Sequence, residues 1–386
     1  MSKTICVVTA TRAEYDGLYP LLKKIKERSF LKLDLVVTGA HLCQEFGNTY
    51  KKILDDGFEI KEKIDMLLAS DSASAISKSM AVELFGFADY FSKNKPDLLV
   101  ILGDRYELLP VCFSALNEMI PIAHISGGEI TKGAIDDNIR HAITKFSYLH
   151  FVANDEYRRR VIQLGENPNR VFAFGELSLE NVLNEKLLSK NDLEKCINFK
   201  LDKPYVLITF HPETISKKSV ENQISELINA LKCLNLKIIF TKANADKGGR
   251  VVNKAICNFV NENPKNRIFF DNLGRKYYLS AMKYCDMIIG NSSSGIYESP
   301  SFFIPNINIG ARQEGRVRAF NTVDCDLSSA EILKAIHKVM CVDFKNKIKT
   351  LKNPYEGKNT SEKIVEVIIE FLLNGKLDVK KEFYDF

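Results

Sequence analysis

The chain has 386 residues, 45% of them hydrophobic and 27% charged, with a formal net charge of +5. That length exceeds what a single hydrophobic core usually serves and calls for two domains, while the ordinary composition excludes extensive disorder. The mild positive balance favours phosphorylated small molecules, lacks the clustered basic stripe of a nucleic-acid binder, and no stretch approaches the roughly 20 apolar residues of a membrane span.

The first run, "TICVVTA", is short and leads into a polar loop rather than a cleavage site, so no signal peptide is read and a cytoplasmic location is expected. Further Val/Ile-rich runs follow in the first half: "LKLDLVVTG", "PDLLVILGD", "IPIAHISGG" and "SYLHFVAN". The second half offers "PYVLITFHP", "LKIIFTKA", "RIFFDN" and "CDMIIGNSS". Each run is continuously apolar and is followed by an amphipathic helical stretch, the pattern of a parallel sheet covered on both faces. The expected fold class is therefore α/β, with two doubly wound Rossmann-like domains facing a central cleft. The polar segment Asn184 to Pro204 marks a boundary, which gives an N-terminal domain over 1–183 and a C-terminal domain over 200–360. A helix with Asn359 or Thr360 as its cap, and a tail, occupy 361–386. The nine cysteines are scattered without a C-x-x-C pair and read as small buried hydrophobes in a reducing compartment, neither a disulfide framework nor a zinc site.

In such sheets ligands bind at the carboxyl ends of the strands, so the chemistry is sought there. After the first strand comes Arg12, in a turn without the glycines of a dinucleotide fingerprint or a P-loop. It is either a phosphate fork or a solvated loop arginine. His41 follows the second strand, as a hydrogen-bond donor or a turn residue. "VILGDRYELLP" ends in Asp104 and Arg105, charges too costly to bury unpaired, so they belong to the cleft or form a loop ion pair.

"HISGGEITKGAIDDNIRHAITK" is the densest stretch. Glu129, Asp136 and Asp137 fall within nine positions of a glycine turn, and Arg140 lies one helical turn on. Carboxylates so close shift one another's pKa values and can supply a general acid or base, although acids at 136 and 137 also suit a helix start. His124 reads as a satisfied core histidine. In the second half "LITFHPET" places His211 after its first strand, with no second histidine at metal-ligand spacing. "GNSSSGIYESPSF" empties a strand into Ser292, Ser293 and Ser294 at what reads as a helix start, with Glu298 one turn in and Arg312 beyond. Hydroxyl and N–H groups there suit a diphosphate, and the carboxylate suits the two hydroxyls of a ribose.

With those residues in view, the chain resembles the hydrolysing UDP-N-acetylglucosamine 2-epimerases of bacterial sialic acid biosynthesis. The resemblance is carried in order by "TATRAEY", "TGAHLCQEFGNTY", "LGDRYE", "GGE…DD.IRHAITK", "RRVIQLGE", "FHPET", "GNSSSGIYE", "INIGARQEGRVR" and "EFYDF". It implies the glycosyltransferase-B arrangement, with the nucleotide on the second domain. The implied reaction removes the C2 proton, expels UDP to leave a 2-acetamidoglucal, and adds water to give N-acetylmannosamine. A related substrate is a UDP- or GDP-linked 2,4-diacetamido-2,4,6-trideoxy sugar of legionaminic acid synthesis, and a glycosyltransferase of the same fold is the competing reading.

Carried across residue by residue, the resemblance makes Asp104, Glu129 and Asp136 the acid/base carboxylates. It makes His211 a catalytic or leaving-group residue and Arg140 a sugar-site anchor. Arg12 and Arg105 become diphosphate contacts, Ser292 and Ser293 the phosphate turn, Glu298 the ribose clamp, and Arg312 a base or phosphate contact. His41, Glu180, Ser294 and Gly295 complete the substrate-binding set. No cofactor or metal is implied, and relatives suggest a homodimer or homotetramer that binds a nucleotide sugar, with no nucleic-acid or membrane partner. One departure stands out, because several relatives carry glutamate where this chain has Ser126.

Overall fold

The computed structural model describes residues 2–385; Met1 and Phe386, the last residue of the "EFYDF" motif, lie outside the described residues. The strands of a first sheet are β1 (Lys3–Thr9), β2 (Leu31–Thr38), β3 (Glu62–Ile64), β4 (Leu98–Leu102), β5 (Ile122–Ile125), β6 (Leu149–Val152) and β7 (Val171–Ala173). Those of a second are β8 (Tyr205–Thr209), β9 (Lys237–Thr241), β10 (Arg267–Phe270), β11 (Met287–Gly290), β12 (Asn306–Ile309) and β13 (Thr322–Cys325). The orders are β3-β2-β1-β4-β5-β6-β7 and β10-β9-β8-β11-β12-β13. Every pairing between described strands is parallel. Both orders reverse direction once, at β1/β4 and at β8/β11, and such switch points open a crevice beyond the strand ends.

The apolar runs are continuous because each strand has two covered faces. Ile5 and Val7 of β1 join one core with Leu35, Val37, Leu98 and Val100, whereas Cys6 and Val8 join another with Val36, Leu99 and Ile101. Val206 and Ile208 of β8 likewise face a different core from Tyr205 and Leu207. This is the period of two expected of a pleated strand.

The chain forms two compact units, one of residues 1–129, 136–181 and 355–386 and one of 130–135 and 182–354. Within the polar stretch 184–204, Leu193, Ile197, Phe199 and Leu201 are buried in a core of the second unit. The helix Thr360–Leu373 buries Ile364, Val365 and Ile368 in a core of the first unit, beside Leu18 and Leu21. Its cap is Asn359, in the left-handed region, while the Thr360 hydroxyl donates to the Phe174 carbonyl at 2.8 Å.

The tail that follows stays with the first unit. Lys381 Nζ donates to Ser147 O at 2.7 Å and to Glu166 Oε1 at 2.8 Å, and Tyr384 N–H donates to Gly165 O at 2.9 Å. Glu166 is fully buried, and burial opposes its charge. His150 at 3.1 Å and Lys145 at 2.6 Å join Lys381 in outweighing that cost and hold its pKa down to about 2.

The cysteine expectation needs correction. All nine are free, but only Cys6, Cys112 and Cys285 are buried; Cys196, Cys233, Cys257 and Cys341 are exposed. These four lie on or at the ends of helices whose apolar stripes are completed by other residues. No helix among the described residues is long and apolar enough to cross a membrane.

Candidate active site

In the first unit the candidate residues cluster beyond β1, β4 and β5. Arg140, on the helix Asp136–Phe146, is 0% exposed despite its charge. Its Nε donates to Asp104 Oδ2 at 2.9 Å and its Nη2 reaches the same oxygen, while Nη1 donates to the Glu129 carbonyl at 2.9 Å and to Asp137 Oδ1 at 3.2 Å. One guanidinium thus gathers Asp104, the Glu129 backbone and the helix start, which is the geometry its rigid fork allows and a lysine does not. Of the two aspartates, Asp137 takes Arg140, and Asp136 stands half-buried at the first helical position. The loop between β5 and this helix turns at Gly128, where φ is +78° and a Cβ would come within 2.5 Å of the Tyr157 carbonyl, so no other residue fits.

Around this centre lies a buried acidic group whose role was not read from the sequence. Arg105 binds Glu107 with both Nε (3.1 Å) and Nη2 (3.0 Å), and Glu107 is 0% exposed. The expected phosphate fork therefore spends two donors inside its own unit. Glu14 Oε2 accepts from the Ala10 and Thr11 amides at 3.0 and 2.7 Å, leaving Oε1 buried without a hydrogen-bond partner. Burial first, and the Glu107 carboxylate second, raise the Glu14 pKa to about 7. Glu83 accepts from Thr38 Oγ1 at 3.0 Å and is likewise pushed well above the carboxylate range by burial and then by Glu107. The Thr-x-x-Glu spacing of Thr11 and Glu14, a capping box, was the available sign of the first of these.

Two other expectations, for His41 and Glu180, meet a structural alternative, whereas His124 is the core histidine expected. His41 is fully buried, with Nε2 3.1 Å from Thr9 Oγ1 and Nδ1 2.8 Å from Thr49 Oγ1, and burial lowers its pKa to about 3. A neutral imidazole with both nitrogens occupied braces the ends of β1 and β2. Glu180 turns both oxygens to the start of the C-terminal helix, accepting from Ser361 N–H at 2.8 Å and from its hydroxyl. His124 is neutral as well, with Nε2 2.8 Å from Gly103 O and a pKa lowered by burial to about 3. Arg12 begins the helix after β1 and is half-buried.

In the second unit, β8 and β11 flank the switch point and deliver His211 and the serine turn. Asn291, 1% exposed, ties them together. Its Oδ1 accepts from His211 N–H at 2.7 Å and its Nδ2 donates to His211 O at 2.8 Å. Its own carbonyl accepts from Arg312 Nη1 at 3.0 Å and Gln313 Nε2 at 2.7 Å. The Asn244 amide donates to His211 Nδ1 at 3.3 Å, so a neutral ring carries its proton on Nε2 and offers a donor there. Asn291 stood inside the "GNSSSG" motif, but a polar loop residue gives no sequence sign that its side chain bridges two strand ends.

The helix expected after the serines is shorter than read. It spans only Ser294–Tyr297; Glu298 is its C-cap, and a 3₁₀ turn over Ser299–Phe302 follows. Pro300 has no N–H to continue the helix and disfavours a helical residue before it. One turn has little macrodipole, so what the turn offers an anion is its local hydroxyl and amide groups. Ser292 and Ser293 are half-buried beside it. Ser294 Oγ donates to Glu298 Oε2 at 2.5 Å and accepts from Tyr278 Oη at 2.9 Å, which fixes the carboxylate. Gly295 has a packing reason, because a Cβ there would lie 2.3 Å from Asn306 Oδ1. Among the described residues no group of His, Cys, Asp and Glu is placed to hold a metal ion.

Comparison with known proteins bears on this arrangement. A GDP/UDP-N,N'-diacetylbacillosamine 2-epimerase (hydrolyzing) of Campylobacter jejuni is 45% identical over 389 residues, covering 100% of both chains. The polysialic acid biosynthesis protein P7 of Escherichia coli is 39% identical, covering 99% of this chain and 97% of that one. A UDP-N,N'-diacetylbacillosamine 2-epimerase (hydrolyzing) of Legionella pneumophila is 33% identical, covering 98% of each. The fold matches the crystal structure of UDP-GlcNAc 2-epimerase from Neisseria meningitidis bound to UDP-GlcNAc, with a TM-score of 0.79 at 16% identity, over 95% of this chain and 100% of that one. Both Rossmann-like units are thus those of the expected glycosyltransferase-B type. A family model described as UDP-N-acetylglucosamine 2-epimerase spans residues 23–369, from within the first helix to within the last and over every candidate residue except Arg12; the chain belongs to the UDP-N-acetylglucosamine 2-epimerase family.

Proposed function

We propose that the chain is a hydrolysing 2-epimerase of a UDP- or GDP-linked 2,4-diacetamido-2,4,6-trideoxy sugar, of the N,N'-diacetylbacillosamine type. The observation that carries this is the 45% identity, end to end, with the Campylobacter diacetylbacillosamine enzyme. In this reading a base removes the C2 proton, the nucleoside diphosphate leaves C1, and water adds to the unsaturated sugar with inversion at C2. Asp104, Glu129 and Asp136 serve the proton transfers, and Arg140 fixes Asp104 for them. His211 Nε2–H, Arg312, Ser292 and Ser293 receive the charge that develops on the departing diphosphate. Arg12 adds a further cation, and Glu298 takes the ribose hydroxyls.

Conversion of UDP-N-acetylglucosamine to N-acetylmannosamine is the second reading. The family description and the Escherichia coli polysialic acid relative favour it. Incubation in heavy water with a panel of UDP-N-acetylglucosamine and UDP- and GDP-diacetylbacillosamine separates the two. The proposal expects nucleotide release from a diacetamido sugar and a C2-deuterated, C2-inverted product. Turnover of UDP-N-acetylglucosamine alone selects the second reading, and a product without C2 label overturns the elimination route for both.

A further inference from the structure

Glu213 lies two residues beyond His211, and Pro212 between them has a fixed φ that stiffens the path from one to the other. The Glu213 amide donates to Gln223 Oε1 at 2.9 Å, and Gln223, 1% exposed on the helix Val220–Lys232, also donates from Nε2 to Lys218 O at 3.0 Å. The backbone of Glu213 is therefore held from behind. Its side chain reaches forward to the loop after β12, where Oε1 accepts from the Ala311 amide at 2.5 Å. An amide bound to a carboxylate makes the shorter and stronger kind of hydrogen bond. Gly310 shows how closely the carboxylate is seated: its φ is +74°, and a Cβ there would collide with Glu213 Oε1. The Gly310 amide donates to Cys325 O at 2.8 Å and the Ala311 carbonyl accepts from Gly133 N–H at 3.1 Å, so the peptide that Glu213 grips is fixed on both sides. All of these residues belong to the second unit. Arg312 comes next in the chain. Its Nη1 donates to Asn291 O at 3.0 Å, and among the described residues the rest of its fork makes no hydrogen bond, which leaves those donors for a ligand.

We propose that Glu213 is a positioning residue for the reaction, fixing the Ala311 peptide so that Arg312 meets the departing diphosphate. The proposal rests on the epimerase reading, in which Arg312 receives the charge that develops on that group. Two points then set the direction of the arginine, Glu213 at its main chain and the Asn291 carbonyl at its tip. Loss of the first leaves the Ala311 amide unpaired and frees a left-handed glycine to turn. The tip is then held by one hydrogen bond alone. Stabilisation of a developing charge depends on donors already in place, and a displacement of about 1 Å can cost about 100-fold in rate. The His211 N–H and C=O are held by Asn291 and do not depend on this carboxylate, so the effect belongs to Arg312.

The test compares wild type, Glu213→Ala, Glu213→Asp, Glu213→Gln, Arg312→Ala and the double variant Glu213→Ala/Arg312→Ala on whichever nucleotide sugar of the panel wild type turns over. Glu213→Ala is expected to lower kcat/KM about 10- to 100-fold. Glu213→Asp keeps the charge but is one methylene too short, so it should lose about as much. Glu213→Gln keeps the reach and an acceptor oxygen and should recover most of the rate. The double variant should be within about threefold of Arg312→Ala, because a residue that acts through the arginine has nothing to add once the arginine is gone. Glu213→Ala within about threefold of wild type overturns the proposal, as does Glu213→Gln no faster than Glu213→Ala, or losses that multiply in the double variant. If Glu213→Ala does not fold, Glu213→Asp takes its place in the same cycle. A wild type active on no sugar of the panel overturns the epimerase reading. The same cycle, read as the dissociation constant for UDP or GDP by calorimetry, then decides on Glu213 by the same criteria, and a wild type that binds neither nucleotide overturns both.

Discussion

Arg140 shows how much a single side chain can be asked to do. A guanidinium without solvent contact survives only because Asp104, Asp137 and the Glu129 carbonyl all accept from it. Removing one partner of a buried pair strands the other, at about 3–5 kcal/mol. Arg140→Met is therefore expected to lower unfolding free energy by about that amount in a urea titration and to abolish turnover, and Arg140→Lys should restore little because a point charge cannot span the three acceptors. Glu14 gives a prediction with a sign in pH. Its folded pKa of about 7 lies above the ordinary 4.5, so the folded state holds the proton more tightly. The resulting stability is complete below about 4.5 and is lost as pH rises through 7, a change of about 3 kcal/mol. Wild type should lose that much more stability between pH 4.5 and 8 than Glu14→Gln, measured by urea unfolding at several pH values. Equal slopes in the two proteins would remove Glu14 as the cause.

At the scale of elements, the second unit joins the two strand ends that carry its candidate residues through one amide. Asn291→Ala leaves the His211 N–H and C=O without their partner, and each unsatisfied buried group costs about 1–3 kcal/mol. We expect kcat to fall at least tenfold, because the strand end that carries His211 loses the side chain that holds it, while Arg312 keeps the main-chain carbonyl of residue 291, and the melting temperature to fall as well; kcat unchanged would show that the loops hold themselves. The same elements explain what was legible beforehand. Central strands such as β1, β4, β8 and β11 declare themselves because both faces are buried and the run is wholly apolar. Strands β3, β7 and β13 are sheet edges of only three or four residues, too short for a run to stand out, and went unread, as did β12, whose "NINI" turns Asn306 and Asn308 into interior hydrogen bonds to Thr322 and Asp324. Candidate residues at strand ends were named because position alone implicates them. Asn291 and the electrostatic coupling of Glu83 to Glu107 were not, since neighbours from distant segments leave no local spacing to detect.

For the whole molecule, the order of the chain and the order of the folded units differ. Residues 355–386 return to the first unit after the second has been completed. Lys381 then braces the carbonyl end of the helix that carries Arg140, through Ser147 and the buried Glu166. Hydrogen bonds involving charge contribute about 1.5–3 kcal/mol, so Lys381→Ala should lower the unfolding free energy by about that much, read by urea titration. A variant ending at residue 354 should fail to yield a stable first unit, because Ile364, Val365 and Ile368 would be missing from its core. Synthesis of the roughly 200 residues after Asn181 takes about 10–40 s at ordinary ribosomal rates. During that interval the nascent first unit waits, with an uncovered apolar face, for a helix not yet translated, so the later half can mature before the earlier one, and chaperone demand should be concentrated on the polypeptide still attached to the ribosome.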